Sequence, residues 1–170
     1  MPKTPKKGPR LVAGLFLCAL AAPATAACDP AKPVEKPTDQ YEIQGNRVYD
    51  KKSRLTWQRC SVGQTLNANG GGGQICDGPV TAFSMAEAAL YAEEGWRIPT
   101  QNELATLVSP SCFDPAINEE VFPNMDPDVL GYWSRTFDKQ KRVWYINFVD
   151  GSFRTYSGTT LRHALRLVKD

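Results

Sequence analysis

GWRIPTQNEL, Gly95 to Leu104, decides how this chain is read. Pro99 disfavours a helical conformation at Ile98, so the chain must enter this stretch extended. Thr100 and Glu103 then have the spacing of a capping box, in which the hydroxyl and the carboxylate each satisfy a free N–H at a helix start. Leu104, Leu107 and Val108 follow as the apolar stripe of a short helix. Ahead of the proline, Trp96 and Ile98 alternate inward and Arg97 points away. The stretch therefore reads as a corner built by backbone chemistry rather than as a catalytic loop. Upstream, Ser84 and Glu87 form a second capping box, Ala86, Ala89, Leu90 and Glu93 continue at helical spacing, and Gly95 is the stop.

Strand patterns lie on either side of these two helices. Gly45-Asn46 between Ile43 and Val48 is a hairpin signal, and a turn at residues 50–53 leads into Leu55-Thr56-Trp57-Gln58. From Gly131 the period is two. Tyr132 to Phe137, Val143 to Val149, Phe153 to Ser157 and Leu161 to Val168 read as successive strands, with Trp144, Ile146 and Phe148 on one face. Two short helices packed on a mainly antiparallel sheet make an α+β domain.

The first 26 residues have the form of a secretory leader. Lys3, Lys6, Lys7 and Arg10 precede the apolar run Leu11–Ala22, and Ala24-Thr25-Ala26 is a small-x-small cleavage site. The apolar run is shorter than the roughly 20 residues of a membrane helix, so no transmembrane span is expected after cleavage. The expected organisation is a signal peptide at 1–26, an arm or linker at 27–40 rich in Pro, Lys, Glu and Asp, and a domain at 41–170. Beyond the leader, 16 basic and 18 acidic residues leave a net charge of −2, which argues against a nucleic-acid partner. Cys28, Cys60, Cys76 and Cys112 remain, an even count that reads as two disulfides in an exported chain. Pairing Cys60 with Cys76 across one polar, glycine-rich loop leaves Cys28 for Cys112. Zinc is the rival reading, but there is no C-x-x-C and only one histidine. Thr25-Ala26-Ala27-Cys28 also loosely resembles a lipoprotein site, in which Cys28 would be acylated and Cys112 left unpaired.

LTWQRC (55–60), GWRIPTQNEL, PAINEEVFPN (115–124), GYWSR (131–135), WYINFVDG (144–151) and LRLVK (165–169) resemble, in that order, the family of the C-terminal domain of the Legionella collagen-like adhesin. Six short motifs in one order are specific where each alone is weak. The resemblance implies a C-type-lectin-like fold, akin to that of formylglycine-generating enzymes, and an exported bacterial surface module. The namesake is an adhesin for sulfated glycans. Ser53-Arg54 departs from the pattern, since members often carry Thr-Gly ahead of the Leu-x-Trp.

Residues 131–170 hold 8 basic and 3 acidic residues, against 8 basic and 15 acidic in residues 27–130. Arg135, Lys139, Lys141, Arg142, Arg154, Arg162 and Arg166 are expected to form a basic face suited to sulfate or carboxylate, with Tyr145 and Tyr156 as stacking surfaces. The candidate ligand residues are Arg135, Arg142, Tyr145, Arg154, Tyr156 and Arg162. Asn124, Asp126 and Asp128 are the candidate oxygen ligands for calcium, although the spacing lacks the glycine and distal glutamate of an EF-hand loop. His163 reads as a semi-buried structural histidine. A nucleophile elbow is absent and no cysteine follows Cys112, so neither a hydrolase nor the late thiol pair of formylglycine-generating enzymes is expected. The expected protein is thus a non-enzymatic binding module without a cofactor, its partner a sulfated or acidic polysaccharide. The alternative is a structural envelope or periplasmic protein that binds another protein, and a formylglycine-generating-type enzyme comes third.

Overall fold

The computed structural model describes residues 27–33, 36–67, 75–91, 95–123, 125–129 and 131–170. The expected leader, residues 1–26, lies outside them. The strands and helices are, in order, β1 (Ala27–Cys28), β2 (Tyr41–Gln44), β3 (Arg47–Asp50), β4 (Leu55–Gln58), β5 (Thr65–Asn67), β6 (Ile75–Asp77), α1 (Met85–Leu90), α2 (Gln101–Ala105), β7 (Cys112–Phe113), β8 (Gly131–Phe137), β9 (Val143–Asn147), β10 (Ser152–Tyr156) and β11 (Val168–Lys169). This is an α+β chain dominated by antiparallel strands. Instead of one sheet, there is a four-stranded sheet in the order β11-β4-β3-β2, a three-stranded one in the order β10-β9-β8, and two small ribbons, β1-β7 and β5-β6.

Local chemistry explains the short elements. Gly45, at φ +58°, turns β2 into β3 with Gln44 opposite Arg47. Both capping boxes form: Ser84 with Glu87, and Thr100 with Glu103. Only Ala88 of α1 is buried, and Leu90 is 86% exposed. The expected apolar stripe of that helix is therefore largely solvated, because α1 meets the body through Ala88 and Met85, and the helix ends at Leu90 with Tyr91 extended, short of the expected stop at Gly95.

The 95–104 corner forms as expected at Ile98, Pro99 and Leu104, which are buried, and differs at its two large side chains. Trp96 is only half-buried, packed on the second apolar cluster and covered by Lys169, whose Nζ lies 4.9 Å from the ring centroid. Arg97 is no bystander. Its two terminal nitrogens donate to the two carboxylate oxygens of Glu103 at 2.8 Å each, and Nη2 also reaches Asp170 at 2.6 Å. Glu103 thus accepts from Arg97 and from the Thr100 N–H (2.7 Å) at once. Partial burial pushes the Glu103 pKa up, but the Arg97 hydrogen bonds, the Thr100 cap and the Arg97 charge outweigh it and hold the pKa down at about 2.

The largest departure is at 161–168, expected as a strand like its neighbours. Only Val168–Lys169 pairs in a ladder, with Trp57 and Thr56. The rest is an extended seam that bonds to four different stretches. His163 exchanges hydrogen bonds with Phe83, Val168 with Arg97, Ala164 bridges Gly131 and Trp133, and the carbonyls of Leu165 and Leu167 accept from Val62 and Gln58. Residues of both parities, from Ala164 through Val168, are buried. Two apolar clusters flank the three-stranded sheet: Tyr132, Ile146 and Phe148 join Trp57, Leu104 and Phe122 in one, and Trp133 and Val143 join Ile98, Leu165 and Leu167 in the other.

Cys28 bonds Cys112 and Cys60 bonds Cys76, the pairing expected from the sequence. The glycine run 70–73 between the second pair lies outside the described residues. The first bond fastens the arm. Cys28 pairs Cys112 across β1 and β7, Asn118 donates to the Lys36 carbonyl (2.8 Å), and Thr38 donates to Glu120 (2.5 Å). The described part of the arm is therefore laid along the domain.

Candidate functional site

The basic end of the chain is divided by burial. Arg166, expected on the basic face, is fully buried in the seam, and its guanidinium donates to the carbonyls of Gln58 (3.0 Å) and Arg59 and to Ser61 Oγ (3.1 Å). Its Cζ sits 4.9 Å from the Phe122 ring centroid and 5.7 Å from that of Tyr132. A segment with cores on both sides has no solvent face, so period-two reasoning could not place this side chain outside. Burial lowers its pKa, and the Tyr132 hydroxyl opposes that shift.

Arg142, Arg154 and Arg162 do reach the surface, and each has a carboxylate. Arg142 pairs with Asp138 at 2.6 Å, Arg154 with Asp150 at 3.4 Å, and Arg162 with Glu87 at 2.8 Å while also donating to the Ala82 carbonyl. Arg135, Lys139 and Lys141 are exposed and, among the described residues, have no ion-pair partner. With Arg142 they place four cations and one carboxylate, Asp138, in the eight residues of the β8–β9 turn and its flanks. Lys141 adopts φ +60°, and the turn is tied by Asp138, whose carboxylate accepts from the Gln140 and Arg142 N–H groups.

The two candidate tyrosines serve the three-stranded sheet. Register sets Trp133 opposite Tyr145 and Tyr145 opposite Arg154, so the three share one face. Tyr145 meets Trp133 edge-on at 5.7 Å, and Tyr156 lies 6.2 Å from the same ring. The Tyr156 hydroxyl bonds Thr160 Oγ1 and accepts from the Thr160 and Leu161 N–H groups, which lowers its pKa and fixes the 157–161 loop.

His163 sits in the middle of this face. Its ring is 4.2 Å from Tyr145 and 4.5 Å from Trp133, and it lies on the backbone of Gly131, where an added Cβ would be 2.1 Å from Nδ1. Burial pushes its pKa down to about 4, so the ring is neutral at pH 7. Nε2 is buried and, among the described residues, has no hydrogen-bond partner.

A cleft of about 320 Å³ opens beside this histidine. Tyr145, Asn147 and Val149 supply one wall, and Leu161, Arg162 and His163 another. Pro127, Asp128 and Val129 close it, with Gly131 beneath His163. Tyr145 and Arg162 are thus the two candidate ligand residues that share a cavity. A family model, the Lcl C-terminal domain, matches residues 46–169, which include every one of these groups.

The chain belongs to the Lcl C-terminal domain family. No curated protein and no solved structure matches it. The Lcl C-terminal domain links the chain to adhesin-associated modules, and the match takes in both main sheets apart from β2, both helices and the seam. The turn at which the chain departs from the Lcl pattern still forms, with Arg54 itself at φ +59°. At the calcium candidate, the Asp126 carboxylate accepts from the Asp128 N–H at 3.0 Å, Asn124 lies outside the described residues, and no three His, Cys, Asp or Glu side chains gather to hold a metal among the described residues. Asn147 and Gly131 were not singled out as site residues in the sequence, because the cleft is assembled from three stretches that meet only in space.

Proposed function

We propose that this Lcl C-terminal domain is an exported, non-enzymatic adhesion module of C-type-lectin-like fold that binds acidic polysaccharides through the β8–β9 hairpin. The observation that carries this reading is the set of exposed, unpaired cations Arg135, Lys139 and Lys141 beside Arg142. Three cations without carboxylates are the groups that release nothing when a sulfate arrives, whereas Arg142, Arg154 and Arg162 must first exchange a partner. That exchange is a small barrier, since exposed ion pairs contribute roughly 0–1 kcal/mol, so the paired arginines serve as an outer rim. The two disulfides suit an oxidising compartment, which supports export.

Heparin, as a sulfated polymer, tests this directly. Binding is expected at low salt and should fall steeply at physiological salt, where the screening length is about 8 Å. Replacing Arg135, Lys139 and Lys141 together by Gln should weaken it more than replacing Arg142, Arg154 and Arg162. Absence of binding at low salt, or indifference to the hairpin replacements, sinks the reading.

A protein partner is the second reading, and one observation favours it. Phe113 and Val149 are 56% and 42% exposed and lie on segments joined by the Asp114 N–H to Val149 carbonyl bond, a small apolar patch away from the hairpin.

A further inference from the structure

The cleft at His163 differs from the hairpin in charge, shape and in which polar groups are left unused. At about 320 Å³ it lies at the small end of ligand pockets, which run from roughly 300 to 1,000 Å³, so it holds one ring rather than a length of polymer. Its charges cancel. Arg162 is matched by Glu87 at 2.8 Å, Asp128 adds a carboxylate to the lining, and His163 is uncharged at neutral pH. An anion has no surplus cation to meet there.

Three polar groups that line the cleft have no protein partner among the described residues: the Tyr145 hydroxyl, the Asn147 side-chain N–H₂ and the Asp128 carboxylate. Asn147 is held in place for such a role, because its Oδ1 accepts from the Val149 N–H at 3.0 Å and so directs the amide group. The Tyr145 and His163 rings, packed on each other at 4.2 Å, both line the cleft and supply its aromatic wall. That combination of an aromatic wall with donors and acceptors around it matches a ligand with an apolar C–H face and a rim of hydroxyls. The wall also has a built floor, since His163 occupies the space that any side chain at position 131 would fill.

We infer that this cleft binds a single neutral pyranose ring, at a site separate from the polyanion surface of the hairpin. The aromatic wall covers the C–H face of the sugar, Asp128 accepts from its hydroxyls, and the Asn147 amide and Tyr145 hydroxyl donate to them. The inference does not depend on heparin binding, because none of the three unpaired hairpin cations lines the cleft.

The chain has one histidine, so its ring gives a single set of NMR signals located in the cleft wall. The oxidised protein would be titrated with the methyl glycosides of glucose, galactose and mannose, with methyl glucuronide as the anionic comparison, at low and high salt. At least one neutral glycoside should shift the His163 signals saturably, with the same affinity at both salt concentrations. Asp128→Ala, at an exposed position, should weaken that affinity about tenfold, in line with the loss of a hydrogen bond to a charged group. Gly131→Ala should abolish it by driving the imidazole into the cleft. The Gln replacements at Arg135, Lys139 and Lys141 should leave the titration unchanged. The assignment is overturned if no neutral glycoside moves the His163 signals, if only the glucuronide does so and loses its effect at high salt, or if Asp128→Ala binds as well as the parent.

Discussion

The seam around Arg166 and the hairpin around Arg142 both come from the basic last forty residues, and their guanidinium groups have the same donors. In the seam, the group is fully buried, donates to two backbone carbonyls and a serine hydroxyl, and has no carboxylate beside it among the described residues. In the hairpin, Arg142 is half in water on an Asp138 carboxylate, and three neighbouring cations stand free. The first arrangement organises the chain and the second leaves charge available. Charge along a sequence therefore does not measure charge on a surface, and counting Arg166 in the basic face overstates that face.

The sharpest way to break the comparison is to remove the buried group. Arg166→Met keeps a long side chain but removes the buried guanidinium that donates to the Gln58 and Arg59 carbonyls and to Ser61 Oγ, so it should cost about 3 to 5 kcal/mol in denaturant unfolding. A loss below about 1 kcal/mol would mean that the seam tolerates an apolar residue and that Arg166 has no organising role.

Glu103→Gln tests whether the corner that receives the seam at Arg97 is also held by charge. The folded pKa of Glu103 is about 2, below the ordinary value of about 4.3, so its contribution is complete above the unfolded value and is lost as pH falls from there towards 2. The variant should be less stable than the parent at pH 6 and should converge on it across that acid window. Parallel stability curves for the two proteins between pH 6 and pH 2 would contradict the assignment.

A smaller change of opposite sign is expected at Arg54. Its φ of +59° is strained for a side chain and natural for glycine, so Arg54→Gly should raise the unfolding free energy by about 1 kcal/mol. A rise in thermal midpoint would show that the turn lost stability where the chain departs from the Thr-Gly of its family, and a fall would mean that the Arg54 side chain makes up for the strain. The smallest effect belongs to the hairpin. Neutralising Arg135, Lys139 and Lys141 should change stability by less than about 0.5 kcal/mol, and a larger loss would place these cations with Arg166 rather than opposite to it.

The sequence alone was enough for features whose causes lie within a few residues. Both capping boxes, the Gly45-Asn46 hairpin and the starts of the two short helices form because a hydroxyl, a carboxylate or a glycine acts on backbone groups next to it, whereas the helix ends, at Leu90 and Ala105, fall short of the expected ones. The cysteine pairing was also legible, since one pair closes a short loop and leaves the other no choice. What failed was the inference from periodicity to orientation. Trp96 proved half-buried, Leu90 exposed and Arg166 buried, because inside and outside are decided by what packs on each face, and periodicity shows only that two faces exist. For the seam from Ala164 through Val168 there was no outside at all. The cleft at His163 was likewise settled only by tertiary structure, since Asp128 with Gly131, Asn147, and His163 come from three separate stretches that the crossing of the seam over β8 brings together. Local chemistry fixes where the chain turns and caps, and only the packed whole decides which of its charges meet water.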